Sequence, residues 1–119
     1  MKYSTLPNTD IKVSKICLAT MTFGQQNSEA EGHAQMDYAI DQGVNFFDTA
    51  EMYSIPSRKE TYGSTEKIIG TWLKKTGKRE EIVLASKIAG PNPNFGYMRD
   101  KLDFSPKSIQ YALDHTLQR

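Results

Sequence analysis

Short apolar bursts alternate along the chain with longer stretches in which apolar residues return every three or four positions. Residues 2–6 and 10–13 (KYSTL and DIKV) flank the turn cluster Pro7-Asn8-Thr9 and predict a short β-hairpin. Residues 15–19 (KICLA) form an apolar burst that suits a short buried strand. Ser28 and Glu31 have the spacing of a capping box, and Met36, Ala39 and Ile40 mark one face of a helix over 29–42. Gly43 stands where a left-handed residue would end that helix.

The pattern then repeats. Residues 44–48 (VNFFD) predict a strand, and 54–63 a polar loop containing Pro56. A second helix starts near Ser64, with Glu66 in its first turn facing the positive end of the helix dipole. Ile68, Ile69, Trp72 and Leu73 fall on one face, and Gly77 stops the helix. Residues 82–87 (IVLASK) predict the next strand. The stretch 88–104, rich in Gly, Pro and Asn, is long for a loop, a length that tends to accompany function. Ser105-Pro106 announces a third helix, with Ile109, Ala112, Leu113 and Leu117 as its buried stripe and no stop signal before Arg119.

Strand and helix thus alternate three times, the signature of α/β architecture with parallel strands. The expected organisation is one domain over 1–119, a hairpin at 2–13 followed by three βα units over 15–119. Three such units cannot close a sheet on themselves and leave a bare edge, so the expectation is the opening portion of a larger fold.

Composition excludes several function classes. Fifteen basic and 14 acidic residues give a net charge of +1, with no basic excess to displace counterions from a nucleic-acid backbone. One cysteine, Cys17, excludes an intramolecular disulfide framework and a four-cysteine zinc site, and a small core residue is the expected role for it. No apolar run long enough for a membrane span or a leader is present, which places the chain in the cytoplasm with no membrane partner as the expectation. No GxGxxG follows the first strand, and neither a P-loop nor a G-x-S-x-G motif occurs. His33 and His115 both lie in predicted helices without the spacing of metal ligands, so no metal site is expected.

The candidate chemistry sits at two strand ends. Asp48 closes the second βα strand and Lys87 the third, and adjacent strands run about 4.8 Å apart. Their side chains would meet at the C-terminal edge of the sheet, where α/β folds bind ligands. Counting back by twos places Phe46 and Val44 behind Asp48, and Ala85 and Val83 behind Lys87, as in an apolar interior with a polar mouth. Tyr53 follows Asp48 by five residues, close enough to fold back over the strand end. A phenol is a poor acid at neutral pH unless a neighbouring ammonium favours the phenolate, and Lys87 would be that ammonium, positioned by Asp48. A strand-end ion pair with no chemistry, and a plain loop aromatic, are the blander readings of the same residues.

The opening hairpin, LATMTFG (18–24), GVNFFDTAEMY (43–53) and VLASK (83–87) resemble, in order and spacing, successive blocks of the aldo-keto reductase family. TMTFGQQNSEAEGHAQMDYAIDQG, with AEMY and ETYGSTE, is most similar to its bacterial Tas-like branch. The resemblance spans all 119 residues and implies a (β/α)8 TIM barrel, of which this chain would hold the first three βα units behind the N-terminal hairpin. It implies reduction of a small-molecule aldehyde or ketone with NADPH, and by motif match it makes Asp48, Tyr53 and Lys87 catalytic. Thr20, Met21 and Asp48 match positions that contact the cofactor. It equally admits a non-catalytic regulatory module of the same fold, as in the potassium-channel β subunits. Ala19 replaces the family's usual glycine, and the loop from Ser54 to Tyr62 is longer than in many members. The family's catalytic histidine follows a further strand, and His115 does not match it. The sequence also resembles a phosphoacceptor receiver domain in length, but the acidic pair that would hold Mg²⁺ is missing after the first βα strand. A 119-residue span on its own is expected to be inactive and prone to aggregate.

Overall fold

The computed structural model describes residues 1–119. Strand β1 (Tyr3–Thr5) pairs antiparallel with β2 (Lys12–Ser14), as the turn cluster between them requires. Three parallel strands follow in the order β3 (Cys17–Ala19), β4 (Phe46–Asp48) and β5 (Val83–Ala85). Their register aligns Ala19, Asp48 and Ala85 across the sheet. Each strand is shorter than its apolar burst, because the flanking residues bend into the connections. The backbone bonding nonetheless continues past the strand ends, with the Thr49 N–H donating to Ala85 O at 2.9 Å and Glu51 N–H to Lys87 O at 3.0 Å.

Helix α1 (Glu29–Asp41) connects β3 to β4, and α2 (Ser64–Thr76) connects β4 to β5. The capping box at Ser28 is complete: its hydroxyl accepts from the Glu31 N–H, and the Glu31 carboxylate accepts from the Ser28 N–H at 2.8 Å. The Ser28 N–H first, and its hydroxyl second, donate to the Glu31 carboxylate and hold it below the usual carboxylate range. Gly43 at φ +82° ends α1 and Gly77 at φ +71° ends α2, conformations that cost a side-chain-bearing residue steric strain. Helix α2 starts at Ser64 as expected, with Gly63 as its cap and the Ser64 hydroxyl donating back to Thr61 O. A 3-10 turn over Lys78–Glu81, unannounced by periodicity, leads into β5. Helix α3 (Pro106–Gln118) starts as its sequence announces, with Ser105 accepting from the Ser108 N–H and proline in the first turn.

The core lies between the sheet and the first two helices. Phe47, Trp72, Met36 and Ile69 are fully buried there, with the Phe47 and Trp72 rings 5.9 Å apart, and Trp72 donates to Asp37 at 2.8 Å. Strand alternation sends Phe47 to this face and Phe46 and Asp48 to the other. The predicted buried stripe of α3 is not buried. Only Ala112 of the four is covered, while Ile109, Leu113 and Leu117 are exposed because no element packs over that flank. Cys17 is likewise no core residue but exposed, on the uncovered face of β3. Hairpin followed by three βα units on a parallel sheet is the arrangement of a partial (β/α)8 barrel. No helix is long and apolar enough to cross a membrane.

Candidate active site

The C-terminal ends of β4 and β5 bring a carboxylate and an ammonium together. Lys87 Nζ donates to both oxygens of Asp48, at 2.7 and 2.6 Å, and to Thr49 O at 2.7 Å. Those three acceptors match the three N–H groups of the ammonium. About half of the Lys87 side chain and a third of that of Asp48 remain open to solvent, so the pair sits at a mouth rather than in the interior. Tyr53 completes the group, its ring centroid 5.1 Å from Lys87 Nζ, within cation–π range.

Local chain geometry explains why Tyr53 stays there. The loop after β4 turns back through a Tyr53 N–H bond to Ala50 O at 3.0 Å. The loop after β3 then holds it from the side: Ile55 N–H donates to Met21 O at 2.8 Å, Gln25 to Ser54 Oγ at 3.1 Å, and Gln26 to Ile55 O at 3.2 Å. Ser57 meets the Tyr97 hydroxyl at 2.8 Å, which ties the same loop to the long segment 88–104.

The other expected site residues divide. Thr20 is buried, and its hydroxyl donates to Asp48 O at 2.8 Å, so it supports the strand end from beneath. Met21 is exposed at the same rim and joins the group through the backbone carbonyl that holds Ile55. Neither histidine joins it. His33 bonds Ile68 O and Thr71 Oγ1 between α1 and α2, and His115 bonds Tyr111 O within α3. No three His, Cys, Asp or Glu side chains cluster as metal ligands. Partial desolvation against the sheet, then the Asp48 charge, push the Cys17 thiol up from its ordinary value, with Lys87 opposing.

A cleft of about 400 Å³ opens beside Tyr53 and Lys87, lined largely by apolar groups including Met52, Ile88, Pro91 and Phe104. Two buried ion pairs, one beside the site and one between α2 and α3, were not legible in the residue pattern. Glu51 pairs with Arg99, and Glu66 with Arg119 at 2.7 Å. Glu66 stands in the first turn of α2 as expected, and its carboxylate also accepts from Ser86 at 2.7 Å, from Thr116 at 3.1 Å and from Arg119. A buried charge needs side-chain partners beyond what a helix dipole supplies. The one available signal for Glu51 was a charge set between Ala50 and Met52 in an otherwise apolar turn.

The sequence profile of the Aldo/keto reductase family matches residues 15–119. The chain is 48% identical over 120 residues to Protein tas of Escherichia coli, a match covering all of this chain and 35% of that protein. It is 35% identical over 104 residues to the Aldo-keto reductase yakc [NADP(+)] of Schizosaccharomyces pombe, covering 87% of this chain and 28% of that protein. The structure superposes on aldo-keto reductase AKR11C1 from Bacillus halodurans in its holo form with a TM-score of 0.76 and 28% identity. That superposition covers 99% of this chain and 36% of the other. The chain therefore spans about a third of the length of the relatives it matches.

Proposed function

Because the chain belongs to the aldo/keto reductase family, we propose that it supplies the first part of an active site that reduces an aldehyde or ketone to an alcohol with NADPH. The observation that carries this reading is the convergence of Lys87, Asp48 and Tyr53 at one rim of the sheet, beside an apolar cleft. The reaction adds a hydride to the carbonyl carbon and a proton to the carbonyl oxygen.

Tyr53 is the proton donor in this reading. Lys87 lies beside its ring and would compensate the phenolate left behind, while Asp48 and Thr49 O hold the ammonium so that it does not swing into solvent. The donor set fits the nicotinamide–ribose end of the cofactor. Asp48 offers a part-exposed carboxylate whose oxygens keep lone pairs free for sugar hydroxyls, and Met21 stands exposed at the same rim, over the buried Thr20. When bound, the reduced nicotinamide supplies the hydride. NADPH rather than NADH is favoured by the NADP(+) in the name of the Schizosaccharomyces pombe relative. The reading concerns a protein of the relatives' length, and residues 1–119 on their own are expected to be inactive.

The test is oxidation of NADPH, followed by its absorbance, by the complete protein with a generic aromatic aldehyde. Tyr53→Phe keeps the ring over Lys87 and removes only the acidic hydroxyl. A loss of at least about 100-fold in kcat with cofactor binding retained supports the assignment. Wild-type protein that binds NADPH without turning over any carbonyl would instead indicate a nucleotide-binding regulatory module.

A further inference from the structure

Lys87 is long and half exposed, and the reading above needs its backbone as well as its ammonium in one place. Two residues further on, the Ala89 peptide is gripped from both sides. Glu51 Oε2 accepts from the Ala89 N–H at 2.8 Å, and Arg99 donates to Ala89 O at 3.1 Å, while Glu51 and Arg99 form an ion pair with each other. The Glu51 backbone N–H also donates to Lys87 O. The loop after β4 therefore holds the exit of β5 at Lys87 directly, and at Ala89 through the ion pair.

Both side chains are almost wholly buried, at 3% exposure for Glu51 and 7% for Arg99. Burying two opposite charges costs desolvation that their attraction does not reliably repay, so such a pair is a poor device for stability alone. Its geometry serves placement better. Glu51 lies three residues after Asp48 and two before Tyr53, so one short loop carries the carboxylate, the phenol and the anchor for the ammonium's strand. Arg99 comes from the 88–104 segment and lies 5.8 Å from the Tyr111 ring, which extends the anchorage to α3.

We propose that the buried Glu51–Arg99 ion pair is a positioning pair, which clamps the Ala89 peptide and thereby sets the Lys87 ammonium against Asp48 and Tyr53. The catalytic consequence rests on the reading of Tyr53 and Lys87 given above. The placement of Lys87 does not, and the experiment separates the two.

Glu51→Gln keeps the shape of the side chain and removes its charge; Arg99→Met keeps the bulk and removes both of its bonds. Each is made in the complete protein, and the double variant beside them. Amine acetylation by an N-hydroxysuccinimide ester, mapped by mass spectrometry, reads the freedom of Lys87 without requiring turnover. Both single variants are expected to raise Lys87 labelling several-fold relative to the other lysines, and the double variant no further, because the two residues act as one unit. In the carbonyl assay kcat is expected to fall about 10- to 100-fold, with KM for NADPH and for the aldehyde changing less than about threefold. Unchanged Lys87 labelling in both single variants overturns the proposal. So does labelling that rises alike at all lysines, or a fall in kcat matched by an equal loss of cofactor affinity, since either marks general loosening. A wild-type protein with no carbonyl turnover would overturn the reductase reading while the labelling still decides the placement.

Discussion

On the helix-covered face of the sheet, Leu18, Phe47 and Leu84 stand in one row across β3, β4 and β5 and meet Trp72 and its neighbours. On the opposite face, exposed Cys17 and half-buried Phe46 and Val83 form a second row with no helix over them, and the register two residues on brings Asp48 to the rim. The same strands supply both rows by alternation, so one side holds the fold while the other presents the candidate active-site residues. The separation has a practical meaning: damage to the first face should appear in stability, and damage to the rim in turnover.

The strongest way to break that comparison is Trp72→Ala. Removing a fully buried indole should cost about 3–5 kcal/mol in denaturant unfolding, while turnover per folded molecule stays within about twofold. A larger fall in turnover than in folded fraction would show that the two faces are not independent. Lys87→Met tests the other side. A fall in kcat of about 100-fold, worth about 3 kcal/mol, is expected with little change in the unfolding midpoint, because the ammonium is half exposed and its loss leaves no cavity.

Smaller effects sharpen the contrast. Ser28→Ala removes the α1 cap and should cost about 1 kcal/mol with no effect on turnover. The wild-type capping box carries a pH signature. The Glu31 carboxyl lies below its ordinary value when folded, so its contribution is present above the unfolded carboxylate range. It is lost as pH falls through the lower folded value, and Ser28→Ala, which keeps the backbone N–H and removes only the hydroxyl, should flatten the acid limb of the stability profile in part. The smallest effect belongs to Leu117→Gln in residues 1–119 expressed alone, a change of less than about 0.5 kcal/mol in unfolding, with reduced self-association in size-exclusion chromatography.

Helices α2 and α3 show how far sequence goes. Both are 13 residues long and both carry an apolar stripe at helical spacing. In α2 the stripe buries Ile68, Ile69 and Trp72, whereas in α3 Ile109, Leu113 and Leu117 face solvent. Periodicity states which face of a helix prefers to be covered, and it carries no information on whether a partner is at hand. The meeting of Asp48 with Lys87 was legible because strand ends and a fixed strand spacing determine it. The Glu51–Arg99 pair was not, because 48 residues separate its members and the irregular 88–104 segment brings one to the other. The strands are shorter than their apolar bursts for a related reason. Apolar residues flanking a three-residue strand pack into the core as readily as those within it, as Val44 and Ile82 do.

Asn45 sits just ahead of β4, and its side chain accepts from the Ser14 N–H at 2.7 Å and donates to Lys12 O at 3.0 Å. That stitch fastens the hairpin across the N-terminal ends of the parallel strands, and the Tyr3 hydroxyl reinforces it by donating to Gly43 O at 2.8 Å. The hairpin thereby lies against the N-terminal end of β4, opposite the rim that carries Asp48 and Lys87. A purification tag or surface tether joined ahead of Met1 would leave from the hairpin side, so immobilisation by that end should keep the Asp48–Lys87 rim free.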